Sequence, residues 1–132
     1  MKIPKEKTYS QLTKELDKMF SLYIKKKSKG VCFKCGLVKK NAGVSHYFGR
    51  KYRGTRWSEE NCDWACWGDH FYHLEKYKQK GEFYYNYMLK KLGQAEFDML
   101  EIKAHTVTKL SRIDLIILIE DLRQTLAIMS KI

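Results

Sequence analysis

The chain lacks a long hydrophobic run. Its longest stretch of consecutive apolar residues, Leu115–Ile119, has five members, whereas a membrane-spanning helix needs roughly twenty. The N-terminal residues Met1–Lys7 are rich in charge and do not resemble the apolar segment of a secretory signal peptide. The sequence therefore predicts neither a membrane span nor a signal peptide, and we expect a cytoplasmic protein.

Acidic residues are scarce relative to basic ones. The 132 residues include 26 Lys and Arg but only 15 Asp and Glu, which gives a formal net charge of +11. A positive field of this kind favours polyanionic partners, either nucleic acid or an anionic membrane surface. The alternative is a basic surface that serves only solubility.

The chain also lacks internal repeats and low-complexity tracts, and its length suits one domain. With 44% hydrophobic and 14% aromatic residues, it has the composition of a folded protein. We expect a single domain, residues 1–132, of the α+β class and rich in helices. Its expected parts are an N-terminal helical segment (1–30), a central core (31–80) and a C-terminal helical segment (81–132).

Apolar residues at three- and four-residue spacings predict several amphipathic helices. These helices cover residues 8–27, 65–78, 83–92 and 94–104, followed by a last helix from Ser111. Ser111 and Asp114 have the spacing of a capping box, with Asp in place of the usual Glu. Residues 37–47 predict a β-hairpin that turns at Asn41–Gly43. The long terminal helices are expected to pack as core or to form a dimer interface.

Four cysteines occur as two pairs, Cys32 with Cys35 and Cys62 with Cys66. In a cytoplasmic protein such pairs are more often metal ligands than disulfides. The first pair has the CxxCG form in which two thiolates bind a tetrahedral zinc ion; a redox pair or buried free thiols are the alternatives. We expect Cys32, Cys35 and Cys66 to bind a structural Zn²⁺, with either Asp69 or Cys62 as the fourth ligand.

Histidine and asparagine residues are arranged around these cysteines in the order of a ββα-metal nuclease. His46 ends the predicted hairpin, and Asn61 precedes the second cysteine pair. His70 and His73 share one face of the next predicted helix. A neutral imidazole can activate water for attack on a phosphodiester, and a divalent cation can polarise the phosphate.

This order predicts a role for each residue. We expect His46 to act as the general base and Asn61 to orient its ring. His70 and His73 are expected to bind a catalytic divalent cation. The plainer alternatives are a packed histidine at position 46, a helix cap at Asn61 and two surface histidines.

A basic segment lies between the predicted base and Asn61. Its cationic residues are Arg50, Lys51, Arg53 and Arg56. Because phosphate contacts position a protein on DNA, we expect these four side chains to bind DNA phosphates.

At this point the sequence resembles a known family, the phage recombination endonucleases of the lambda NinG (Rap) type. The motifs that carry the resemblance are Cys32–Gly36, Ala42–Arg50, Arg56–Trp57, Glu60–Cys62 and Cys66. Outside the motifs, the similar segments are Lys14–Ile24, Tyr87–Gly93 and Thr108–Leu122. The family belongs with the His-Asn-His nucleases and is related to junction resolvases of the endonuclease VII type.

The resemblance implies a zinc-stabilised ββα-metal core flanked by helices, and cleavage of branched recombination intermediates such as Holliday junctions and D-loops. It also implies Mg²⁺ or Mn²⁺ as cofactor, a possible homodimer, and a place in a bacterial cytoplasm, as a phage or a host protein. His46 corresponds to the general base and His70 to a catalytic-metal ligand. The family has Cys-Asn where this chain has Asp69-His70, so the second knuckle departs from the pattern.

Two other functions are compatible with the same residues. One is a zinc-knuckle DNA-binding protein without catalysis. The other is an endonuclease that cuts duplex DNA, with or without sequence specificity. Cleavage separates the first from a nuclease, and a preference for branched substrates separates the second from a junction enzyme.

Overall fold

The structure is a computed structural model that describes residues 6–67 and 81–131. Within these residues the protein is an α+β fold rich in helices, with four α-helices and one sheet of two strands. The helices are α1 (Tyr9–Ser28), α2 (Gly81–Leu92), α3 (Gln94–His105) and α4 (Arg112–Met129), and the strands are β1 (Ala42–His46) and β2 (Cys62–Cys66). A short 3-10 turn, Glu59–Asn61, leads into β2.

The chain divides into two compact units. The first contains the described residues up to Tyr23 together with those from Lys109 onward, and the second contains Ile24–Thr108. The sequence predicted one domain with internal boundaries at residues 30 and 80. Described residues of both terminal segments belong to the first unit, and the single-domain prediction stays a prediction.

The first unit is built by α4 packing along the N-terminal part of α1. Arg112 donates to the backbone oxygen of Lys7 at 2.6 Å, and Arg123 forms an ion pair with Glu15 at 3.5 Å. The buried apolar side chains of this unit are Leu12, Leu16, Phe20, Leu115 and Ile119. α4 therefore contributes to the core, as one of the two sequence alternatives proposed, while Ile113, Ile117 and Ile128 stay exposed.

The second unit has its core between the sheet, α2 and α3. A buried cluster of Tyr84, Met88, Phe97 and Leu100 joins the two helices. The aromatic ring of Tyr47, which follows β1 directly, packs edge-on against Tyr84 at 4.9 Å between ring centroids. This core holds the end of β1 against the helices.

The sheet is antiparallel and pairs segments that are distant in sequence. His46 lies opposite Cys62, and Ala42 lies opposite Cys66. The predicted hairpin at 37–47 is therefore wrong, because Ala42 and Gly43 begin a strand instead of forming a turn. At Gly43 a Cβ atom would lie 3.2 Å from Nε1 of Trp67, so the glycine makes room for an indole ring.

The remaining helix predictions divide clearly. Those for residues 8–27, 83–92, 94–104 and the last helix are confirmed, and Ser111 with Asp114 forms the predicted capping box. The helix predicted to begin near Ala65 is wrong at its start, since Ala65 lies in β2 and pairs with Gly43. Its continuation to residue 78 lies outside the described residues.

Candidate functional site

The first cysteine pair lies in a tight knuckle held against β2. The backbone N–H of Cys32 donates to the oxygen of Leu37 at 3.0 Å, and that of Gly36 donates back to Cys32 at 2.9 Å. Gly36 has φ +72°, a conformation that glycine adopts without steric strain. The N–H of Phe33 donates to the oxygen of Trp64 at 2.9 Å, which fixes the knuckle beside the strand that carries Cys66.

This arrangement brings three sulfur atoms together. The Sγ atoms of Cys32, Cys35 and Cys66 all lie within 4.8 Å of one another, and Cys35 Sγ is 4.0 Å from Cys66 Sγ. Tetrahedral zinc with Zn–S bonds of about 2.3 Å requires sulfur atoms about 3.8 Å apart. The three cysteines can therefore hold a metal ion such as zinc with little adjustment.

The electrostatics of the cluster also suit a cation. Burial raises the pKa of the Cys32 thiol, but backbone N–H groups of Cys35, Cys66 and Lys34 hydrogen-bond to its sulfur and make the net shift downward. Burial raises the pKa of Cys66 to about 11, and the neighbouring Cys32 sulfur adds to the increase. A bound cation offsets the repulsion between such thiolates.

Cys62 does not join this cluster. Cys62 and Cys66 are the two ends of β2, so their Cα atoms are about 13 Å apart at the usual strand rise. The Sγ of Cys62 instead points to the backbone oxygen of Arg56 at 3.9 Å. The sequence alternative that placed both cysteines on one helical turn is wrong because the segment is extended. The other predicted fourth ligand, Asp69, lies outside the described residues.

His46 stands at the far end of the sheet from the cysteine cluster. Its side chain is 9% exposed, and its Nε2 lies 3.0 Å from the backbone oxygen of Arg56. A carbonyl oxygen only accepts hydrogen bonds, so Nε2 of a neutral ring carries the proton and Nδ1 is the basic nitrogen. The structure thus selects one tautomer of His46 through the backbone of the loop between the strands.

The sequence order predicted that Asn61 orients the His46 ring. In the structure the Asn61 side chain binds other groups. Its side chain, which is fully buried, accepts from the N–H of Phe48 at 2.8 Å and donates to the oxygens of Phe48 at 2.9 Å and Thr55 at 3.1 Å. These three bonds use the acceptor and both donors of the amide. Asn61 therefore acts on His46 only indirectly, by closing the loop whose Arg56 oxygen holds the imidazole.

The same loop is packed closely against the end of α3. A Cβ atom at Gly54 would lie 2.7 Å from the backbone oxygen of Lys103, so no larger residue fits without a shift. The ring of His105 lies edge-on to Phe48 and Tyr52, with centroids 5.8 and 5.0 Å away. His105, to which the sequence assigned no role, thus supports the loop. Aromatic residues at 48 and 52 were the only sequence signal for this contact.

Two polar residues on the sheet contact side chains of α2 through hydrogen bonds or an ion pair. The Oγ of Ser45 is 3.0 Å from the hydroxyl of Tyr84, deep in the core. The Asp63 carboxylate accepts from Tyr87 at 2.7 Å and pairs with Lys91 at 3.2 Å. Burial raises the pKa of Asp63, while Lys91 and Tyr87 act in the opposite direction. These contacts give Asp63 a structural role.

Lys91 fixes the turn before β2, which sequence reasoning did not anticipate. Besides Asp63, its ammonium group donates to the backbone oxygens of Glu59, Glu60 and Cys62 at 3.1, 3.3 and 3.2 Å. These carbonyls flank Asn61 on both sides. A lysine in the last turn of a helix gives no sequence signal for such a distant backbone site.

The four predicted phosphate-binding residues divide into two kinds. Arg50 and Lys51 are exposed, and Lys51 Nζ lies 4.9 Å from the centroid of the Tyr52 ring. Arg53 and Arg56 are half-buried and both lie against Trp57. All four belong to the loop that also holds His46. The predicted metal ligands His70 and His73 lie outside the described residues.

Within the described ranges, no helix is long and apolar enough to cross a membrane. Comparisons of the chain with protein-family models, with curated proteins and with solved structures found no match. The resemblance to the NinG-type endonucleases therefore stays a prediction.

Proposed function

We propose that this protein is a metal-dependent DNA endonuclease in which His46 is the general base. The observation that carries the proposal is the hydrogen bond between His46 Nε2 and the Arg56 backbone oxygen. Because a carbonyl oxygen only accepts, this bond makes Nδ1 the basic nitrogen of the neutral ring. A fixed neutral imidazole is the group that phosphodiester hydrolysis requires to activate water near neutral pH.

Rigidity of the surrounding loop supports the same role. The buried amide of Asn61 closes the loop, and the close approach of Gly54 to α3 fixes its middle. A base contributes most when it is held in its productive geometry before the substrate arrives. The net charge of +11 and the basic residues of this loop supply attraction for a phosphate backbone.

We assign the cysteine cluster a structural role in a ββα-metal core. Cys32, Cys35 and Cys66 would bind Zn²⁺, with Asp69 as the proposed fourth ligand. The ion would join the knuckle to the end of β2 and so fix the sheet on which His46 stands. Structural zinc sites with four protein ligands typically stabilise small folds in this way.

Among the described residues, the cysteine cluster is the only group of three or more His, Cys, Asp or Glu side chains spaced to bind a metal. A catalytic Mg²⁺ or Mn²⁺ would accordingly depend on His70 and His73. Such an ion supplies charge neutralisation at the phosphate when bound. In the described part of the site, His46 takes the proton of the attacking water and the loop backbone holds its ring.

The proposed substrate is branched DNA, such as a Holliday junction or a D-loop, as the resemblance implies. A symmetric homodimer with two copies of this site would match the two-fold symmetry of a four-way junction. A cytoplasmic location, in bacteria or in phage-infected cells, belongs to the same proposal.

The test compares cleavage of a labelled four-way junction and a linear duplex of the same sequence, with Mg²⁺ or Mn²⁺. We expect the wild type to cut the junction preferentially. His46→Ala should reduce the rate by about 10²- to 10⁴-fold, the usual contribution of a general base. Asn86→Ala, at an exposed position of α2, is the control. It should retain most activity.

Zinc content and circular dichroism establish that each variant is folded. Junction binding without cleavage by the wild type would instead indicate a non-catalytic zinc-knuckle DNA-binding protein. Equal cleavage of junction and duplex would indicate a duplex endonuclease. Full activity of a folded His46→Ala variant would contradict the role of this residue as base.

A further inference from the structure

Two arginines of the loop between the strands share one aromatic ring. The guanidinium carbon of Arg53 lies 5.7 Å from the centroid of the Trp57 ring, and that of Arg56 lies 5.2 Å away. Both distances fall within the range of cation–π attraction. Trp57 is itself half-buried, so the ring is a fixed support for the two cationic groups.

The same loop segment is tied to the histidine site. Arg56 offers its backbone oxygen to His46 Nε2 at 3.0 Å while its side chain lies against Trp57. One residue before Arg56, the backbone oxygen of Thr55 accepts from the Asn61 amide at 3.1 Å. The two guanidinium groups and the backbone oxygen that holds the imidazole therefore belong to one short stretch of the loop.

The chemistry of this pair is that of a phosphate-binding site. A ring contact uses the flat face of a guanidinium, whereas a phosphate is bound through the N–H groups at its edge. One guanidinium can make both contacts together. Two cations held against one ring concentrate positive charge, and a ring contact lowers the conformational freedom that binding would otherwise remove.

We propose that Trp57 organises Arg53 and Arg56 into a binding site for a DNA phosphodiester next to the one that is attacked by the water His46 activates. The proposal deepens the nuclease function proposed above and rests on it for the identity of the ligand as DNA. It also assigns two different roles to the four basic residues of the loop. The exposed pair, Arg50 and Lys51, adds charge, while the pair on Trp57 makes the ordered contact.

The test measures binding of a fluorescein-labelled four-way junction in buffer without Mg²⁺ or Mn²⁺, over a range of salt concentrations. Trp57→Leu keeps every charge but removes the aromatic face. We expect it to weaken binding about ten-fold, the effect of losing one charge-assisted hydrogen bond. The magnitude of the slope of log affinity against log salt should fall by about 1, since one lost phosphate contact lowers it by about 0.9.

Three further variants show whether the ring or the charge matters. Trp57→Phe retains an aromatic face and should restore most of the affinity. Arg53→Gln should weaken binding as much as Trp57→Leu does. Lys90→Gln removes an exposed charge from α2 and serves as the charge-matched control, with a change of no more than about two-fold.

The results distinguish this proposal from the nuclease function. If Trp57→Leu binds like the wild type while Arg53→Gln and Lys90→Gln weaken binding equally, only net charge matters and the site is refuted. If the wild type never cuts DNA but the Trp57 series behaves as expected, the phosphate site stands and the nuclease function falls. If Trp57→Leu does not fold, as judged by zinc content, the Trp57→Phe and Arg53→Gln results decide the question.

Discussion

Substitution of Asn61 by Asp tests the closed loop most directly. The two side chains have the same shape, so the change creates no cavity. An ionised aspartate side chain at this position would keep an acceptor for the N–H of Phe48 but would lose both donated bonds, to the oxygens of Phe48 and Thr55. The variant thus isolates the two hydrogen-bond donors of the amide.

The expected magnitude follows from the burial of the site. Each buried carbonyl left without its donor costs about 1–3 kcal/mol, so two of them lower the free energy of unfolding by about 2–6 kcal/mol. Whole domains of this size are stable by about 5–15 kcal/mol. The variant should therefore be strongly destabilised yet foldable at low temperature.

The stability of this variant relative to the wild type should depend on pH, in a direction set by the pKa of the new carboxyl. Full burial opposite two carbonyl oxygens disfavours the ionised form, so the native pKa of the new carboxyl should lie above its unfolded value. The native state then binds the proton more tightly than the unfolded state, and stability relative to the wild type is regained as pH falls through the native pKa. A protonated carboxyl also restores one O–H donor.

The assay is urea unfolding followed by circular dichroism, at neutral and at mildly acidic pH. Asn86→Asp, at an exposed position of α2, is the matched control and should change stability by less than about 0.5 kcal/mol. A loss at Asn61 as small as in this control would refute the reasoning, and so would a deficit that does not shrink on acidification. Cleavage by the variant should fall as well, since the Arg56 oxygen that holds His46 depends on the same loop.

Three further predictions concern other parts of the molecule. Cys66→Ser should abolish stoichiometric zinc binding, measured by metal analysis, whereas Cys62→Ser should leave it intact; equal loss in both would contradict the three-cysteine cluster. Gly54→Ala should lower the unfolding free energy by about 1–3 kcal/mol through overpacking against a backbone oxygen 2.7 Å from the new Cβ, and an unchanged urea midpoint would count against that contact. The pKa of Asp114 is lowered by its backbone and side-chain bonds to the capping serine, so its stabilisation is present at neutral pH and lost as pH falls through the native pKa. Asp114→Asn should therefore be less stable than the wild type at neutral pH and equal to it in strong acid, and a difference that persists in acid would rule out the ionised capping box.

The sequence by itself determined the helices and the donor chemistry. The helices over 9–28, 81–92, 94–105 and 112–129 follow from apolar spacing and capping, which act within a few residues of one another. A CxxCG turn places two thiolates together by its own local geometry, which predicts Cys32 and Cys35 as ligands. Cys66 was predicted from the second cysteine pair, and its sulfur lies with the other two. His46 was placed correctly at the end of a strand, although the partner of that strand was predicted wrongly.

Only the tertiary structure decided which distant segments meet. β1 pairs with β2 and not with the segment next to it in sequence. The sequence did not predict this pairing, because backbone pairing across a long loop leaves no local pattern. That pairing made residues 62–66 extended and so removed Cys62 from the cysteine cluster. With this pairing, the Asn61 amide forms hydrogen bonds with the backbone of Phe48 and Thr55, and the Arg56 backbone oxygen accepts from His46. These partners are backbone groups, which every residue carries, so residue types alone do not predict which of them will be used.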